Sequence, residues 1–206
     1  MIIYMSEILV FTNRILCQEE FLTRIEKLAK AHPKGIVLRE KDLSEGAYKV
    51  LAQNVLEICR EYGVPCILHN FVNVARELQA ECLHLPLSVL NTLSKEEREK
   101  FSVLGASCHS VEDAIQAEQL GCTYLTAGHI FDTDCKKNLP GRGLGFLEQV
   151  CQSVSIPVYA IGGIDSKNIA LVRNAGAAGA CVMSKAMNCK NVMEYITAFK
   201  EKKNEI

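Results

Sequence analysis

Short apolar runs alternate with longer amphipathic segments along almost the whole chain. Eight of the runs have the length of strands, and their apolar residues do not alternate with polar ones, which is typical of a parallel sheet covered by helices. We place these strands at 7–12, 35–39, 65–68, 82–84, 103–107, 124–127, 158–161 and 179–182. Strand–helix steps in this order predict an α/β fold, a (β/α)8 TIM barrel.

The segments between the strands carry apolar residues at helical spacing. We predict helices over 19–31, 45–62, 72–79, 95–100, 110–120, 166–175 and 187–200, and one that starts near Leu144. Ser94, with Glu97 three residues later, indicates a capping box at the start of the helix over 95–100. A doubly wound open sheet is the alternative fold, but its glycine fingerprint does not follow the first strand.

Length and charge narrow the picture further. A chain of 206 residues suits one barrel domain, and 49% hydrophobic residues are ample for its core. No linker or low-complexity tract divides it, so we predict a single domain over 1–206. The formal net charge of -1 argues against a nucleic-acid surface or a basic membrane patch. An anionic ligand must therefore meet a local cluster of positive groups.

The cysteines and the hydropathy indicate a reducing compartment. The chain has 10 cysteines but no C-x-x-C pair and no zinc-like spacing with histidine. No apolar run approaches the ~20 residues of a membrane span, and the amino-terminal segment does not resemble a signal peptide. We therefore expect a cytoplasmic protein with free thiols.

Polar residues that follow the strands carry the candidate chemistry, because the carboxyl ends of barrel strands share one mouth. Cations, an amide, a hydroxyl and a histidine occur there, namely Arg39, Lys41, Asn70, Ser107 and His109. Acidic residues are fewer, chiefly Asp132 and Asp134. This balance predicts a mouth that holds an anion.

Two glycine- and serine-containing turns indicate a phosphate site. Gly162 and Gly163 follow the seventh strand, and Ser184 follows the eighth at the expected start of a helix. Glycines let the backbone approach a ligand, and the free N–H groups of a helix start favour a phosphate. Phosphate sites in barrels commonly follow these two strands. The alternative is a pair of tight turns that bind nothing.

Among the histidines, His129 is the candidate for proton transfer. It lies just past the sixth strand in a loop rich in cations, and an ordinary histidine titrates near neutrality, which suits acid–base chemistry. For His109, a functional role and a purely structural one stay equally open. We expect His69 and His84 to be structural, since no other chemistry surrounds them in the sequence.

Together these residues resemble the thiamine-phosphate-synthase superfamily of TIM barrels. The carrying motifs are L-R-E-K-D (38–42), G-A-S-C-H-S (105–110), G-H-I-F-D-T-D-C-K-K (128–137), A-I-G-G-I (160–164) and V-M-S (182–184). The resemblance extends from about 35 to 190. It implies the barrel fold and a small phosphorylated substrate.

Two activities in this superfamily must be separated. The synthase joins a pyrimidine pyrophosphate to a thiazole phosphate with magnesium, which two aspartates bind in the family pattern. Phe71 and Val89 stand at those two positions here. The TenI-type thiazole tautomerase lacks the aspartates and has a histidine where this chain has His129. The resemblance therefore makes a tautomerase, an isomerase that aromatises a carboxythiazole phosphate, our first hypothesis.

The resemblance also implies roles for single residues. His129 would shuttle the proton, and Gly162, Gly163, Met183 and Ser184 would hold the phosphate. Further substrate contacts would come from Thr133, Asp134, Cys135 and Lys136 in the loop, and from Arg39, Lys41, Asn70 and Ser107 at other strand ends. Since only C–H bonds change in this reaction, no metal or organic cofactor is expected.

Two alternatives stay open beside the tautomerase. One is a thiamine-phosphate synthase, a transferase, which Arg39, Lys41 and Asn70 favour because these positions match the synthase pattern. The other is a non-catalytic regulator that binds thiazole phosphate. We expect a small-molecule partner, no nucleic acid and no membrane. Whether the protein is a homo-oligomer stays open, because the outer helix faces are too evenly mixed to identify an interface.

Overall fold

Eight parallel strands form a closed barrel in which each strand pairs with its neighbours in chain order and β8 pairs with β1. This computed structural model describes residues 7–133, 136 and 139–199. The strands are β1 Ile8–Phe11, β2 Gly35–Leu38, β3 Cys66–His69, β4 Cys82–Pro86, β5 Val103–Cys108, β6 Tyr124–Gly128, β7 Val158–Ile161 and β8 Gly179–Val182. The predicted (β/α)8 TIM barrel is confirmed.

Helices cover the outside of the barrel between the strands. They are α1 Phe21–Lys30, α2 Glu45–Glu61, α3 Val72–Glu77, α4 Leu87–Leu90, α5 Lys95–Arg98, α6 Val111–Gln119, α7 Gly143–Ser153, α8 Ile169–Asn174, α9 Ser184–Asn188 and α10 Val192–Thr197, with a 3-10 turn at Arg14–Leu16. The predicted capping box is present at α5, where Ser94 and Glu97 bond each other's backbone N–H groups. No described helix is long and apolar enough to cross a membrane.

Two helical segments differ from the prediction. The expected helix over 187–200 is two short helices, because the chain is extended at Cys189 and Asn191. The Asn191 side chain accepts a hydrogen bond from Glu194 N–H and starts α10 anew. Leu87–Leu90 is a helical turn that the sequence pattern did not indicate. Such short turns give too few residues for a periodic signal.

The outer face of the sheet is almost entirely aliphatic. Its side chains are buried against the helices in one continuous core that includes Ile8, Val10, Ile36, Leu38, Leu68, Leu83, Leu104, Leu125 and Ala160. Burying a side chain of this size contributes about 1.5–3 kcal/mol. This core fixes where each strand ends, and therefore where the residues after it lie.

The inner face differs, because it mixes apolar, aromatic and polar side chains. A smaller buried cluster fills the inside of the barrel with Leu9, Phe11, Val37, Ile67, Tyr124, Tyr159 and Cys181. His69, His84 and Thr126 are buried as well. The described cysteines are all free thiols. Toward the carboxyl ends of the strands the interior opens into a cavity.

Candidate active site

The cavity occupies about 480 Å³ at the carboxyl ends of the strands. Ten of the residues predicted to act on or bind the substrate line it: Arg39, Lys41, Ser107, His129, Thr133, Lys136, Gly162, Gly163, Met183 and Ser184. These residues are far apart in the chain, and the barrel brings them together because all of them follow or end a strand.

Three other predicted residues are not among the lining. Asn70 has a φ of 71°, and its backbone N–H donates to the carbonyl of His84, so it forms a turn after β3 outside the cavity lining. Asp134 and Cys135 lie outside the described residues. The predicted contacts of these two stay predictions.

The glycine turn after β7 depends on backbone shape. Gly162 has a φ of 99° and Gly163 a φ of 67°, in the region that favours glycine. A methyl group on Gly162 would collide with the side chain of His129. The backbone N–H of Ile130 donates to the carbonyl of Ile161 at 2.9 Å, so the loop after β6 packs directly on this turn. Helix α9 begins beside it at Ser184.

Arg39 and Lys41 follow β2 and are held by a buried network. The N–H of Arg39 donates to Thr12 Oγ1 at 2.9 Å, and the Thr12 hydroxyl donates to Glu40 Oε1 at 2.6 Å. Glu40 is only 2% exposed and also accepts the backbone N–H of Arg14. The carboxylate therefore anchors the segment from below, and the two cations on either side of it reach the cavity.

Burial and the nearby positive charge of Arg39 lower the pKa of Lys41. Both causes disfavour the charged ammonium, and a bound anion would favour it. The two cations therefore repel each other, and a bound anion would offset this repulsion.

His129 is buried at the junction of β6 and its loop. Its Nε2 lies 3.1 Å from the carbonyl oxygen of Leu139, which only accepts, so Nε2 carries a proton. Its Nδ1 is buried and has no hydrogen-bond partner among the described residues. Asp132 accepts the N–H of Gly141 at 2.8 Å and closes the same loop.

His109 stands beside this junction. Its Nδ1 lies 3.0 Å from the carbonyl of Gly128, so that nitrogen donates and the ring is fixed against the end of β6. The exposed ring lines the cavity.

The structure adds residues that the sequence did not point to. His69 lines the cavity, and its Nδ1 is buried without a described partner. Burial lowers its pKa to about 2, so the ring is neutral. Other lining residues without a predicted role include Phe11, Pro86, Thr126, Ile161, Lys185 and Tyr195. Most lie inside strands or helices, where an apolar pattern gives no sign of which side faces the ligand.

The described residues do not fit a magnesium ion where the family pattern places it. Those positions hold Phe71 and Val89, which offer no oxygen ligand from their side chains. The carboxylates of Glu40 and Asp42, which follow β2, form ion pairs with Arg14. No group of three or more histidine, cysteine, aspartate or glutamate side chains in the described part of the chain could hold a metal ion.

Comparison with known families identifies the kind of protein. Residues 8–186 match the family model described as thiamine monophosphate synthase. The chain belongs to this family. The match covers every strand of the barrel and both sides of the cavity, so the family resemblance inferred from the motifs is confirmed.

Named relatives agree over almost the whole length. Thiamine-phosphate synthase 2 of Streptococcus pneumoniae serotype 4 is 35% identical over 193 residues, which cover 91% of this chain and 90% of the relative. Thiamine-phosphate synthase of Fusobacterium nucleatum is 32% identical and covers 92% and 95%. The solved thiamine phosphate pyrophosphorylase from Pyrococcus furiosus superposes with a TM-score of 0.80 at 28% identity, covering 93% and 92%.

These relatives overturn the first functional hypothesis. The thiazole tautomerase assignment, and with it the isomerase class, is wrong, because relatives at 32–35% identity over about nine-tenths of the chain are named as synthases. The hypothesis had rested on two missing aspartates and on one histidine, His129. These few positions after three different strands were given more weight than a likeness that extends through the whole barrel. An enzyme of thiamine biosynthesis is supported, and the synthase alternative is favoured.

Proposed function

We propose that this protein is a thiamine-phosphate synthase, a transferase that joins a pyrimidine pyrophosphate to a thiazole phosphate. The family membership and the names of the relatives support this reaction. The observation that carries the proposal is a single cavity with two separate groups for anions. One group follows β2, the other follows β7 and β8, and β1 stands between them in the barrel.

The two groups match the two phosphorylated substrates. Arg39 and Lys41 suit pyrophosphate, because two side-chain cations can neutralise a highly charged leaving group. Gly162, Gly163 and Ser184 suit the single phosphate of the thiazole, since turns of this kind expose backbone N–H groups. A cavity of about 480 Å³ has the size of an ordinary small-molecule site.

In the coupling, the bond to pyrophosphate breaks as the bond to the thiazole ring forms. Negative charge therefore develops on the departing oxygen, and groups that stabilise this charge lower the activation free energy of the coupling step. Arg39 and Lys41 supply that charge stabilisation. The buried Glu40 keeps their backbone in place, which reduces the reorganisation needed when the charge appears.

The test is a coupling assay with the two substrates, read as thiamin phosphate formed and pyrophosphate released. We expect both products in equal amounts, with magnesium supplied and also with a chelator present. Lys41→Met should lower the rate about 10- to 100-fold, as for other charge-assisted contacts. Lys95→Met is the matched control, because the Lys95 side chain is 76% exposed and is not among the residues that line the cavity.

Substrate binding without any product would contradict the synthase and leave the non-catalytic binding protein. Product formed only when magnesium is supplied would preserve the synthase. It would contradict neutralisation of the leaving group by Arg39 and Lys41 alone.

A further inference from the structure

Three neighbouring strands place His84, Gly105 and Tyr124 in one row inside the barrel. His84 on β4 is paired with Gly105 on β5, and Gly105 is paired with Tyr124 on β6. A methyl group on Gly105 would collide with the Tyr124 ring. The ring therefore crosses the middle strand over the glycine and reaches the histidine two strands away.

A hydrogen-bonded chain continues from this row to the cavity. The Tyr124 hydroxyl lies 2.9 Å from His84 Nδ1, and His84 Nε2 lies 2.8 Å from Ser107 Oγ. The Thr126 hydroxyl donates to the same Ser107 oxygen at 3.3 Å. Ser107 and Thr126 line the cavity, whereas Tyr124 and His84 lie beneath them and do not.

Counting protons gives this chain a direction. Among the described residues, the buried Tyr124 hydroxyl has a hydrogen bond only with His84. Since an unpaired phenol proton would be costly in this site, Tyr124 donates and Nδ1 accepts. The proton of a neutral His84 is then on Nε2, which donates to Ser107.

The Ser107 hydroxyl has one hydrogen-bonding group without a partner in this chain, its own proton. Its oxygen has two lone pairs, and they accept from His84 and from Thr126. Its own proton is therefore available to the cavity, and the group that meets it must be a hydrogen-bond acceptor.

The two rings in this hydrogen-bonded chain, His84 and Tyr124, carry no charge at ordinary pH. Burial, and to a smaller extent the charge of Lys41, lower the pKa of His84 to about 3. Burial raises the pKa of Tyr124 well above its usual range. Both rings therefore stay neutral, and the direction of donation does not reverse through titration.

We propose that Tyr124 and His84 are positioning residues that hold Ser107 as a hydrogen-bond donor toward an acceptor atom of the substrate. The acceptor is a phosphate oxygen or an unprotonated ring nitrogen, both of which the proposed coupling substrates carry. The proposal rests on the proposed function for the identity of that ligand, and the arrangement of protons stands without it.

The first experiment reads the histidine tautomer in the unliganded protein. In ¹⁵N-labelled protein, long-range proton–nitrogen correlations show which ring nitrogen carries the proton, and His84→Gln assigns the signal. We expect a single neutral tautomer of His84 with the proton on Nε2. A proton on Nδ1 would overturn the proposal.

Tyr124→Phe should turn the single tautomer into a mixture, because Nδ1 loses its donor. Tyr159→Phe is the matched control, since Tyr159 packs against Tyr124 with 5.9 Å between the ring centroids and does not line the cavity. The control should leave the His84 signal unchanged. A single unchanged tautomer in Tyr124→Phe would contradict the proposed direction. If this variant does not fold, the wild-type tautomer decides alone.

The second experiment asks whether Tyr124 acts through Ser107. Binding of thiamin phosphate, measured by calorimetry, should weaken about 3- to 10-fold in Ser107→Ala and by a smaller factor in Tyr124→Phe. The double variant should bind no worse than Ser107→Ala, because the two changes remove one interaction. Additive losses would overturn the positioning role.

Failure of the proposed function has a different signature. Wild-type protein that neither forms nor binds thiamin phosphate would end the synthase proposal, while the His84 tautomer would still be read in the same sample. Wild-type protein that forms thiamin phosphate but has the Nδ1–H tautomer would end only the positioning proposal.

Discussion

The two groups of cavity residues that we propose to bind anions are built on different physical principles. The group after β7 and β8 uses backbone conformation, with Gly162 held at a φ of 99° against His129. The group after β2 uses side-chain charge, with Arg39 and Lys41 on an anchored segment. The first is therefore inseparable from the local fold. The second can be removed while the barrel stays intact.

Because of this difference, the two groups should distinguish between ligands by different properties. Backbone N–H groups present fixed dipoles of modest strength, so they bind most tightly a ligand whose shape fits the turn. Burial and the neighbouring charge of Arg39 both lower the pKa of Lys41, so these two cations favour the ligand with the highest negative charge. We expect the glycine group to select by shape and the cation group by charge.

Gly162→Ala should have the largest effect. The positive φ and the collision with His129 together should cost about 1–4 kcal/mol of folding free energy, and thiazole phosphate affinity should fall about 100-fold. Urea unfolding and calorimetry measure the two quantities. Gly46→Ala is the control, because Gly46 lies in α2 with open space around its Cα, and alanine there should be neutral or stabilising. Wild-type affinity in Gly162→Ala would contradict phosphate binding by the backbone of this turn.

Arg39→Met should have a smaller and more selective effect. Loss of one charge-assisted contact should weaken binding of inorganic pyrophosphate about 10- to 100-fold, with thiazole phosphate affinity changed less than about 3-fold. Unfolding free energy should stay close to wild type, because the guanidinium is not part of the core. Calorimetric titrations with the two ligands check this. Equal losses for both would show that the cavity does not divide its anions between the two groups.

The sequence predicted the barrel and much of its mouth for one physical reason. The strands that support the site are continuous apolar runs, and whatever follows a parallel strand must lie at one end of the barrel. Arg39, Ser107, His129 and Ser184 line the same cavity on that account alone. The short fourth strand is among those predicted, although it extends to Pro86 and ends two residues later than the predicted 82–84.

The inside of the barrel could not be predicted in the same way. A run such as β6 is buried on both faces, so the pattern does not tell which residues face inward. His84 was expected to be structural, and it is fully hydrogen-bonded, but its partner Tyr124 became visible only from the strand register. His69 has the same expectation, and the structure shows in addition that it lines the cavity. Both outcomes depend on pairing between strands, which a linear pattern does not contain.

The smallest predicted effect is the pH dependence of anion binding by Lys41, which tests whether its charge contributes. The lowered pKa of Lys41 means that its ammonium loses its proton at lower pH than an ordinary lysine, so its attraction for an anion is complete well below that pKa and is lost as the pH rises through it. The ratio of pyrophosphate affinities, wild type to Lys41→Met, should therefore decline with rising pH, and the decline should begin below the ordinary lysine pKa of about 10.4. Taking the ratio cancels the ionisation of pyrophosphate itself, and both proteins carry the same Arg39. A ratio that stays constant as the pH rises would mean that Lys41 does not contribute its charge to the bound anion, and the cation group would then consist of Arg39 alone.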